Sequence, residues 1–565
     1  MSDISKLSPA SAGFPSTSKD NNEVLGQERQ DLEHKDSFIM KNFNSSTEDD
    51  SFDTTTSSDT ADSITENDCS GLIPGIEDAD PDLHSDSVEK LKKAFAKLKS
   101  KRRENGAQGG RPPIDRSGLA RACVDIIFAN HGEKLLRHYA GSWFSYTDGK
   151  YKRIKDEEVE KKVTGFLTQV SQLKGAVTTS LVRDVLNIMK SDEYCGLTET
   201  DFQMPCFIST GADASRFLPM QNGILDIEAT LDAMSKGESL PALLPTTPDL
   251  FSVHGLDYDY DPMAECPRFL QYLEGVQPNP ENRVSLQMLA GLLLVQDCSY
   301  NVAFFFYGEG GTGKSVCMNV LEGLLGAENC CSVPLANLGD RFAKIRLTEN
   351  MANLVGDMPV IPDSGRLAEL EGILKTVASG EPLFVERKGK DGWEARATAR
   401  CVFATNELPP FSDRSNGVWD RLRIIPFNQV FRNTEQQNPH LSEELLEERS
   451  GILNWALNGL LGLRGLTTFP QCPEGAMCLE EHRTACDHEK AFLLEKTRAD
   501  QDGCISSSLL YDEYKRWMRE SNYHPVGLQK FKRAVLQAYP TASHAEREYT
   551  VQGRMAVFHG ISWSN

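Results

Sequence analysis

The sequence predicts a multidomain α/β protein with a disordered N-terminal tail, and three observations lead to this fold class. The 565 residues suffice for roughly three or four domains, and a hydrophobic fraction of 39% suffices for buried cores. Short apolar runs typical of buried strands alternate with runs of helical periodicity in the middle of the chain. Residues 1–86 are rich in Ser, Thr, Asp, Glu and Asn, and they bury too little apolar surface to offset the entropy of ordering.

The net charge of −22 lies mostly in this acidic tail. Residues 42–87 hold 13 acidic residues and no Lys or Arg, so the remainder of the chain carries about −9. Any contact with DNA must therefore come from local basic patches. A basic helix at Ser87–Arg103 and a linker after it are predicted, and together they cover residues 87–117. The charged face of the helix suits DNA, a membrane surface, the acidic tail or plain solvent.

An N-terminal α+β domain is predicted over residues 118–262. Its signals are a helix near Leu119–Phe128, an aromatic hairpin that turns at Asp148-Gly149, two further helices, and a second hairpin turning at Asn222-Gly223. Near its end, the run LDYDYDP places aspartates on alternate residues: Asp257, Asp259 and Asp261. Such alternation on a strand suits a polymerase-type metal site, but Pro262 and the helix after it favour a turn between domains.

The stretch Asn301–Leu325 carries the strongest signal in the chain. Val302–Tyr307 has the pattern of a buried strand, and the apolar residues take up helical spacing from Lys314 until Gly326. The turn between them satisfies the phosphate-loop pattern G-x-x-x-x-G-K-[ST]. The residues expected to surround the phosphates of ATP are Gly308, Glu309, Gly310, Gly311, Thr312, Gly313, Lys314 and Ser315.

The residue types of this loop explain its predicted chemistry. Glycines let backbone N–H groups curl around phosphates, and the helix N-terminus adds partial positive charge. Lys314 is expected to reach the β- and γ-phosphates, and the Ser315 hydroxyl to ligate Mg²⁺. Because the loop, the preceding strand and the following helix agree, we predict a nucleoside triphosphatase rather than a glycine-rich turn that binds nothing.

Two more predicted strands of this core end in polar side chains. Ala352–Gly356 leads into Asp357, a carboxylate placed to hold Mg²⁺ and the attacking water, with Asp363 as the alternative acid. Cys401–Thr405 leads into Asn406, whose amide can orient the hydrolytic water; a turn-forming asparagine is the alternative.

Basic residues follow in two further segments. Pro382–Arg400 predicts two strands joined by a basic tip, suited to phosphate contacts with a nucleic acid or to an ordinary solvated turn. The cations of this tip are Arg387, Lys388 and Lys390. Gly417–Phe427 presents Arg421 and Arg423 around an apolar strand, and one of them is expected to stabilise transition-state charge in a neighbouring subunit.

The cysteines and the hydropathy pattern indicate a reducing compartment. The fourteen cysteines form no C-x-x-C pair, and the sequence has neither a signal pattern nor a long apolar run, so a soluble, intracellular protein is expected. One group of potential zinc ligands comprises Cys472, Cys478, His482, Cys486 and His488. Their spacing matches no common zinc framework, which favours ordinary thiols and histidines.

Five segments of the chain resemble the superfamily 3 helicases, in particular the phage and plasmid primase-helicase group that includes the poxvirus replicative nucleoside triphosphatase. They are GEGGTGKS, NLVGD, SGEPLFVERKGKD, VFATNELPPFSD and WDRLRIIPF. Weaker matches extend the resemblance from about Gly118 to the C-terminus. It implies a P-loop ATPase core of the AAA+ type over 263–432, a helical subdomain over 433–497 and a winged-helix-like domain over 498–565.

The resemblance also implies roles for individual residues, with ATP and Mg²⁺ as cofactors. Lys314 and Ser315 would bind the phosphates and Mg²⁺, Asp357 would be the acid of the second motif, Asn406 the polar sensor, and Arg421 a finger acting in the neighbouring subunit. Family members often carry paired acids in the second motif, whereas a methionine follows the acid here. That departure leaves the choice of acid open.

By the same resemblance, the chain would act as a ring, expected to be a hexamer, on single-stranded DNA. The basic tip at Arg387–Lys390 would enter the central channel and grip the strand. A separate primase or polymerase is a further expected partner, and no membrane is expected. Two other interpretations remain: an initiator or scaffold ring that binds ATP without processive unwinding, and, far behind, a metabolic P-loop kinase.

Overall fold

The computed structural model describes most of the chain from residue 114 onward. The ranges outside the description are 1–113, 171–174, 359–365, 387–391, 412–415, 433–437, 521–522, 524, 551–552 and 565. The predicted acidic tail and basic helix therefore lie outside the described residues, as do Asp363 and the basic tip with Arg387, Lys388 and Lys390. No helix in the described part of the chain is long and apolar enough to cross a membrane.

The described N-terminal part of this structure combines four helices with small antiparallel sheets. Val124, Val163 and Val185, one from each of the first three helices, are almost fully buried against one another in a shared apolar cluster. The elements, in chain order, are α1 (Arg116–Ile127), β1 (Ala129–Asn130), β2 (Glu133–Lys134), β3 (Leu136–Tyr139), β4 (Ser142–Thr147), β5 (Lys150–Ile154), α2 (Asp156–Gln169), α3 (Thr179–Met189), β6 (Cys206–Phe207), β7 (Phe217–Met220), β8 (Gly223–Asp226), α4 (Ile227–Lys236) and β9 (Leu250–Phe251).

The structure confirms one predicted hairpin turn and shifts the other. Asp148 and Gly149 connect β4 to β5 with φ values of 53° and 80°, as the first turn requires. In the second hairpin, Gly223 already pairs with Met220, so the two connecting residues are Gln221 and Asn222. The prediction of Asn222-Gly223 as the turn was therefore wrong by one residue.

The aspartate run forms an irregular connection rather than a strand. Tyr258 and Tyr260 are buried, and the Tyr258 hydroxyl donates a hydrogen bond to the Leu324 carbonyl oxygen at 2.9 Å. The carboxylate of Asp257 pairs with Arg449 at 3.1 Å. The segment thus fastens the N-terminal part to the parallel-sheet part of the chain, which agrees with the interpretation as a turn between domains.

A five-stranded sheet forms the centre of the next part. Its order is β11-β12-β15-β10-β16, and every neighbouring pair is parallel. Helices cover this sheet, and a separate hairpin, β13-β14, lies beside it. The elements are α5 (Pro267–Val276), α6 (Pro280–Leu293), β10 (Ala303–Tyr307), α7 (Lys314–Leu325), β11 (Cys330–Cys331), α8 (Lys344–Thr348), β12 (Ala352–Val355), α9 (Leu367–Ser379), β13 (Pro382–Val385), β14 (Trp393–Arg396), β15 (Arg400–Thr405) and β16 (Leu422–Pro426).

The C-terminal part is helical and then mixed. Among the described residues, four helices precede an antiparallel sheet of order β17-β19-β18 and two more follow its first strand. Phe492, Tyr514 and Phe531 form its buried aromatic core. Whether these elements act as a winged helix stays a prediction. They are α10 (Leu441–Leu446), α11 (Arg449–Arg464), α12 (Pro473–Cys486), α13 (His488–Lys496), β17 (Thr497–Ser506), α14 (Ser507–Glu520), α15 (Leu528–Ala538), β18 (Ser543–Thr550) and β19 (Gly553–Trp563).

Helices α6 and α11 pack backbone against backbone. A Cβ added at Gly459 on α11 would overlap the carbonyl oxygen of Gln287 on α6, and one added at Gly291 would overlap the carbonyl oxygen of Ala456. Only glycine permits this approach from either side. The contact attaches the helical C-terminal part to the helix that precedes the parallel sheet.

We predict that Gly459→Ala lowers the free energy of unfolding by about 1–3 kcal/mol, because its methyl group forces the two helices apart. Gly462→Ala on the same helix is the matched control, since its Cβ would lie 3.6 Å from the nearest atom, Met288 Cε. This control should be neutral or slightly stabilising through the helix propensity of alanine. Thermal and urea unfolding measure both variants, and equal midpoints would contradict the prediction.

Candidate active site

The carboxyl ends of β10, β12 and β15 meet at one edge of the parallel sheet. Tyr307 pairs with Thr405 at the ends of β10 and β15, so the residues that follow both strands start level with each other. Beyond β12, the Met358 N–H donates to the Ala404 carbonyl oxygen at 2.9 Å and keeps the chain beside β15. Asp357 therefore leaves the sheet at the same edge as the phosphate loop, as the sequence predicted for a buried strand ending in a carboxylate.

The phosphate loop is held in place at both of its ends. At its start, the backbone of Gly308 packs so closely on the Phe427 carbonyl oxygen that a Cβ would overlap this atom. At its end, Gly313 has φ +92°, and a Cβ there would lie 2.8 Å from Val276 Cγ1. The Tyr272 hydroxyl donates to the Gly313 carbonyl oxygen at 3.0 Å. The glycines thus serve loop packing as well as the expected approach of phosphates.

Lys314 is the buried cation of the site. Its side chain is only 8% exposed, and Nζ donates to the carbonyl oxygens of Gly308 at 2.6 Å and Glu309 at 2.7 Å. It also donates to the amide oxygen of Asn406 at 3.1 Å. Burial lowers the pKa of Lys314, and the negative charge of Asp357 opposes this shift. The structure therefore brings three predicted residues from three separate segments together around one ammonium group.

The other predicted ligands lie on the surface of the site. Ser315, Asp357 and Asn406 are exposed, and Ser315 occupies the first turn of α7. A hydroxyl and a carboxylate are oxygen ligands of the kind that Mg²⁺ takes. Thr312 is buried within the loop, where its hydroxyl donates to the Glu309 carbonyl oxygen at 2.9 Å. The donor set fits Mg²⁺ with a bound triphosphate.

The two candidate finger arginines differ in their surroundings. Arg421 donates from Nε and Nη2 to the Ser379 hydroxyl at 3.2 and 3.1 Å, and from Nη1 to the Gly417 carbonyl oxygen at 2.6 Å. Arg423 donates to backbone carbonyl oxygens, including that of Phe469 at 2.9 Å, and burial lowers its pKa. Within one chain, Arg421 therefore lies at the end of α9, and Arg423 serves the local backbone.

The group of cysteines and histidines near α12 is engaged in ordinary contacts. His482 Nε2 bonds to the Pro409 carbonyl oxygen at 2.7 Å, and the ring of His488 stacks on Tyr523 at 3.9 Å. Cys472 is buried and lies 3.4 Å from the Ile424 carbonyl oxygen. Among the residues that the structure describes, no three His, Cys, Asp or Glu side chains are grouped so that they could hold a metal ion.

Sequence reasoning missed two residues beside the phosphate loop. Tyr272 lies on α5, 41 positions before its partner Gly313, and nothing in the helical pattern marked its hydroxyl. Arg432 follows β16 and packs on Gly310 and Gly311. The only available signal for Arg432 was a cation shortly after a strand of the core.

This chain is similar to several known proteins in sequence or in structure. A protein-family model described as a family of unknown function, DUF5906, matches residues 306–421, which include Lys314, Asp357, Asn406 and Arg421. The chain is 27% identical over 154 residues to Putative helicase 121R of Invertebrate iridescent virus 3. It is 20% identical over 360 residues to Putative helicase L207/L206 of Acanthamoeba polyphaga mimivirus. These alignments cover 26% and 56% of this chain.

The chain spans only part of these viral relatives. The alignments cover 16% of the iridescent virus protein and 34% of the mimivirus protein. Among solved structures, the A form of the apo NrS-1 C-terminal region is similar with a TM-score of 0.45 and 12% identity, over 75% of this chain and 96% of that one. The chain thus has distant similarity to viral proteins named as helicases.

Proposed function

We propose that this protein is an ATP-dependent DNA helicase of the superfamily 3 type, which couples ATP hydrolysis to movement along single-stranded DNA during replication. The observation that carries the proposal is the 3.1 Å bond between Lys314 Nζ and Asn406 Oδ1, with Asp357 at the same sheet edge. A cation for the phosphates, an amide for water and a carboxylate for a metal are the groups that phosphoryl transfer to water needs. The names of the viral relatives support the same reading.

In the proposed reaction, ATP lies with its β- and γ-phosphates in the loop that Gly308 and Gly313 close. Lys314 turns from its backbone acceptors to the phosphate oxygens, and Asn406 and Asp357 orient the attacking water. Ser315 and Asp357 would hold Mg²⁺, which would supply positive charge to the phosphates. Because Lys314 already contacts Asn406, both residues are beside the loop before ATP arrives.

The proposed DNA contact is the β13-β14 hairpin. Leu383 and Val385 are buried and root the hairpin in the core, while Phe384 between them is 57% exposed. Pro382 to Val385 pair with Arg396 to Trp393 in antiparallel register up to the tip. A rooted hairpin with a basic tip and an exposed aromatic ring suits phosphate contacts together with stacking on unpaired bases.

In the proposed ring, Arg421 completes the site of a neighbouring subunit. It is half-buried, and its guanidinium donates to the Ser379 hydroxyl at the end of α9 and to the Gly417 carbonyl oxygen. Ring assembly, expected to be hexameric, would place ATP between subunits so that hydrolysis moves the hairpins. A separate primase or polymerase remains a proposed partner.

We predict that single-stranded DNA stimulates ATP hydrolysis by the full chain, and that Lys314→Ala lowers kcat about 100-fold or more because the phosphates lose their buried cation. Lys236→Ala serves as control, since this lysine is exposed and pairs with Asp232 on α4. Phosphate release with and without a poly-deoxythymidine strand measures the effect. ATP binding with no hydrolysis under either condition would favour the initiator or scaffold ring instead.

Asn406→Ala separates the chemical step from binding. We expect kcat to fall about 10- to 100-fold, because the water loses its orienting amide, while the affinity for ADP changes less than threefold. Asn458→Ala is the control, since this exposed amide on α11 only donates to its own helix at 2.9 Å. An equal loss of ADP affinity and kcat would contradict the assigned role.

Arg421→Ala tests whether sites are shared between subunits. Mixed with wild-type protein, the variant should lower ATP hydrolysis more steeply than its fraction of the mixture, because each variant subunit disables its neighbour. Arg116→Ala is the control, since Arg116 pairs with Asp184 on the surface at 2.9 Å. Arg116→Ala subunits should leave the rate per subunit unchanged, and a decrease strictly proportional to the Arg421→Ala fraction would show that Arg421 does not act across subunits.

A further inference from the structure

The segment after β16 crosses the phosphate loop. The Phe427 N–H donates to the Tyr307 carbonyl oxygen at 2.7 Å, which continues the strand pairing past Pro426. Four residues later, the Phe431 N–H donates to the Gly311 carbonyl oxygen at 2.8 Å. Two backbone hydrogen bonds therefore fix where the next residue, Arg432, enters the site.

Arg432 packs directly on the middle of the loop. A Cβ added at Gly310 would overlap Arg432 Nη2, and one added at Gly311 would lie 2.8 Å from Arg432 Cβ and 3.4 Å from Nε. The Arg432 side chain therefore fits against the loop because Gly310 and Gly311 have no side chains. Arg432 is exposed, so its charge is available to a ligand in the loop.

This arginine differs in position from Lys314. Lys314 Nζ bonds to Gly308, Glu309 and Asn406, at the start of the loop and the end of β15. Arg432 instead covers the middle of the loop. In a phosphate loop the backbone N–H groups cradle the α- and β-phosphates, whereas the lysine reaches the β- and γ-phosphates. A triphosphate in this loop would therefore meet the two cations at different phosphates.

We infer that Arg432 is a nucleotide-binding residue acting in its own subunit, and that it contacts the α- and β-phosphates that ADP and ATP share. The inference rests on the proposed function, because it needs a nucleotide in the loop. A planar guanidinium pairs well with phosphate oxygens through two parallel hydrogen bonds. Arg432 therefore contributes to holding the product ADP as well as ATP, unlike a finger that acts only on the γ-phosphate.

The test is calorimetric titration of the full-length protein with ADP and with a non-hydrolysable ATP analogue in the presence of Mg²⁺. We expect Arg432→Ala to weaken both ligands by about tenfold and by similar factors, since both carry the same two phosphates. Arg432→Lys should restore part of the affinity because it keeps the charge. Arg116→Ala should bind both ligands as the wild type does.

The melting temperature without nucleotide separates binding from packing. If Arg432→Ala melts like the wild type without nucleotide but gains less on adding ADP, the inference is supported. If it binds ADP as tightly as the wild type, the arginine only packs on the loop, and the inference fails while the proposed function stands. If the wild type itself binds neither nucleotide, the proposed function fails and the inference with it.

Discussion

The parallel pairing of β15 with β10 on one side and β12 on the other is the constraint on which the site depends. Parallel strands present their carboxyl ends at the same edge, so three segments distant in sequence deliver the phosphate loop, Asp357 and Asn406 to one place. The Lys314–Asn406 bond is the direct result, since it joins residues 92 positions apart. A shift of β15 by one residue would turn the Thr405 side chain to the opposite face of the sheet. The phosphate loop, Asp357 and Asn406 would then no longer be aligned.

The phosphate-loop helix is also fixed at its far end, by residues of the N-terminal part. Lys150, which is buried, donates to the Gly255 carbonyl oxygen at 2.8 Å and pairs with Glu328. His254 Nδ1 bonds to the amide oxygen of Asn329 at 3.3 Å, and burial lowers the pKa of His254 to about 4, so it stays neutral near pH 7. A movement of α7 on nucleotide binding would therefore disturb these contacts with the N-terminal part.

Local patterns predicted the elements of the site better than its contacts. The loop, its flanking strand and helix, and the strand ends at Asp357 and Asn406 follow from apolar runs and a spaced motif, which are properties of neighbouring residues. Arg432 and Tyr272 were missed because their place beside the loop is set by tertiary packing of β16 and α5. The one-residue error at the second hairpin has a similar origin, since the pairing register, not the dipeptide, decides which residues turn.

The most direct test of the account is an experimental structure of the full chain with Mg²⁺ and a non-hydrolysable ATP analogue. The account predicts the β- and γ-phosphates within the loop from Gly308 to Ser315, the metal between Ser315 and Asp357, and Asn406 beside the γ-phosphate. A nucleotide bound elsewhere, or phosphates in the loop with Asp357 and Asn406 turned away from them, would contradict the claim that the sheet edge is a hydrolytic site.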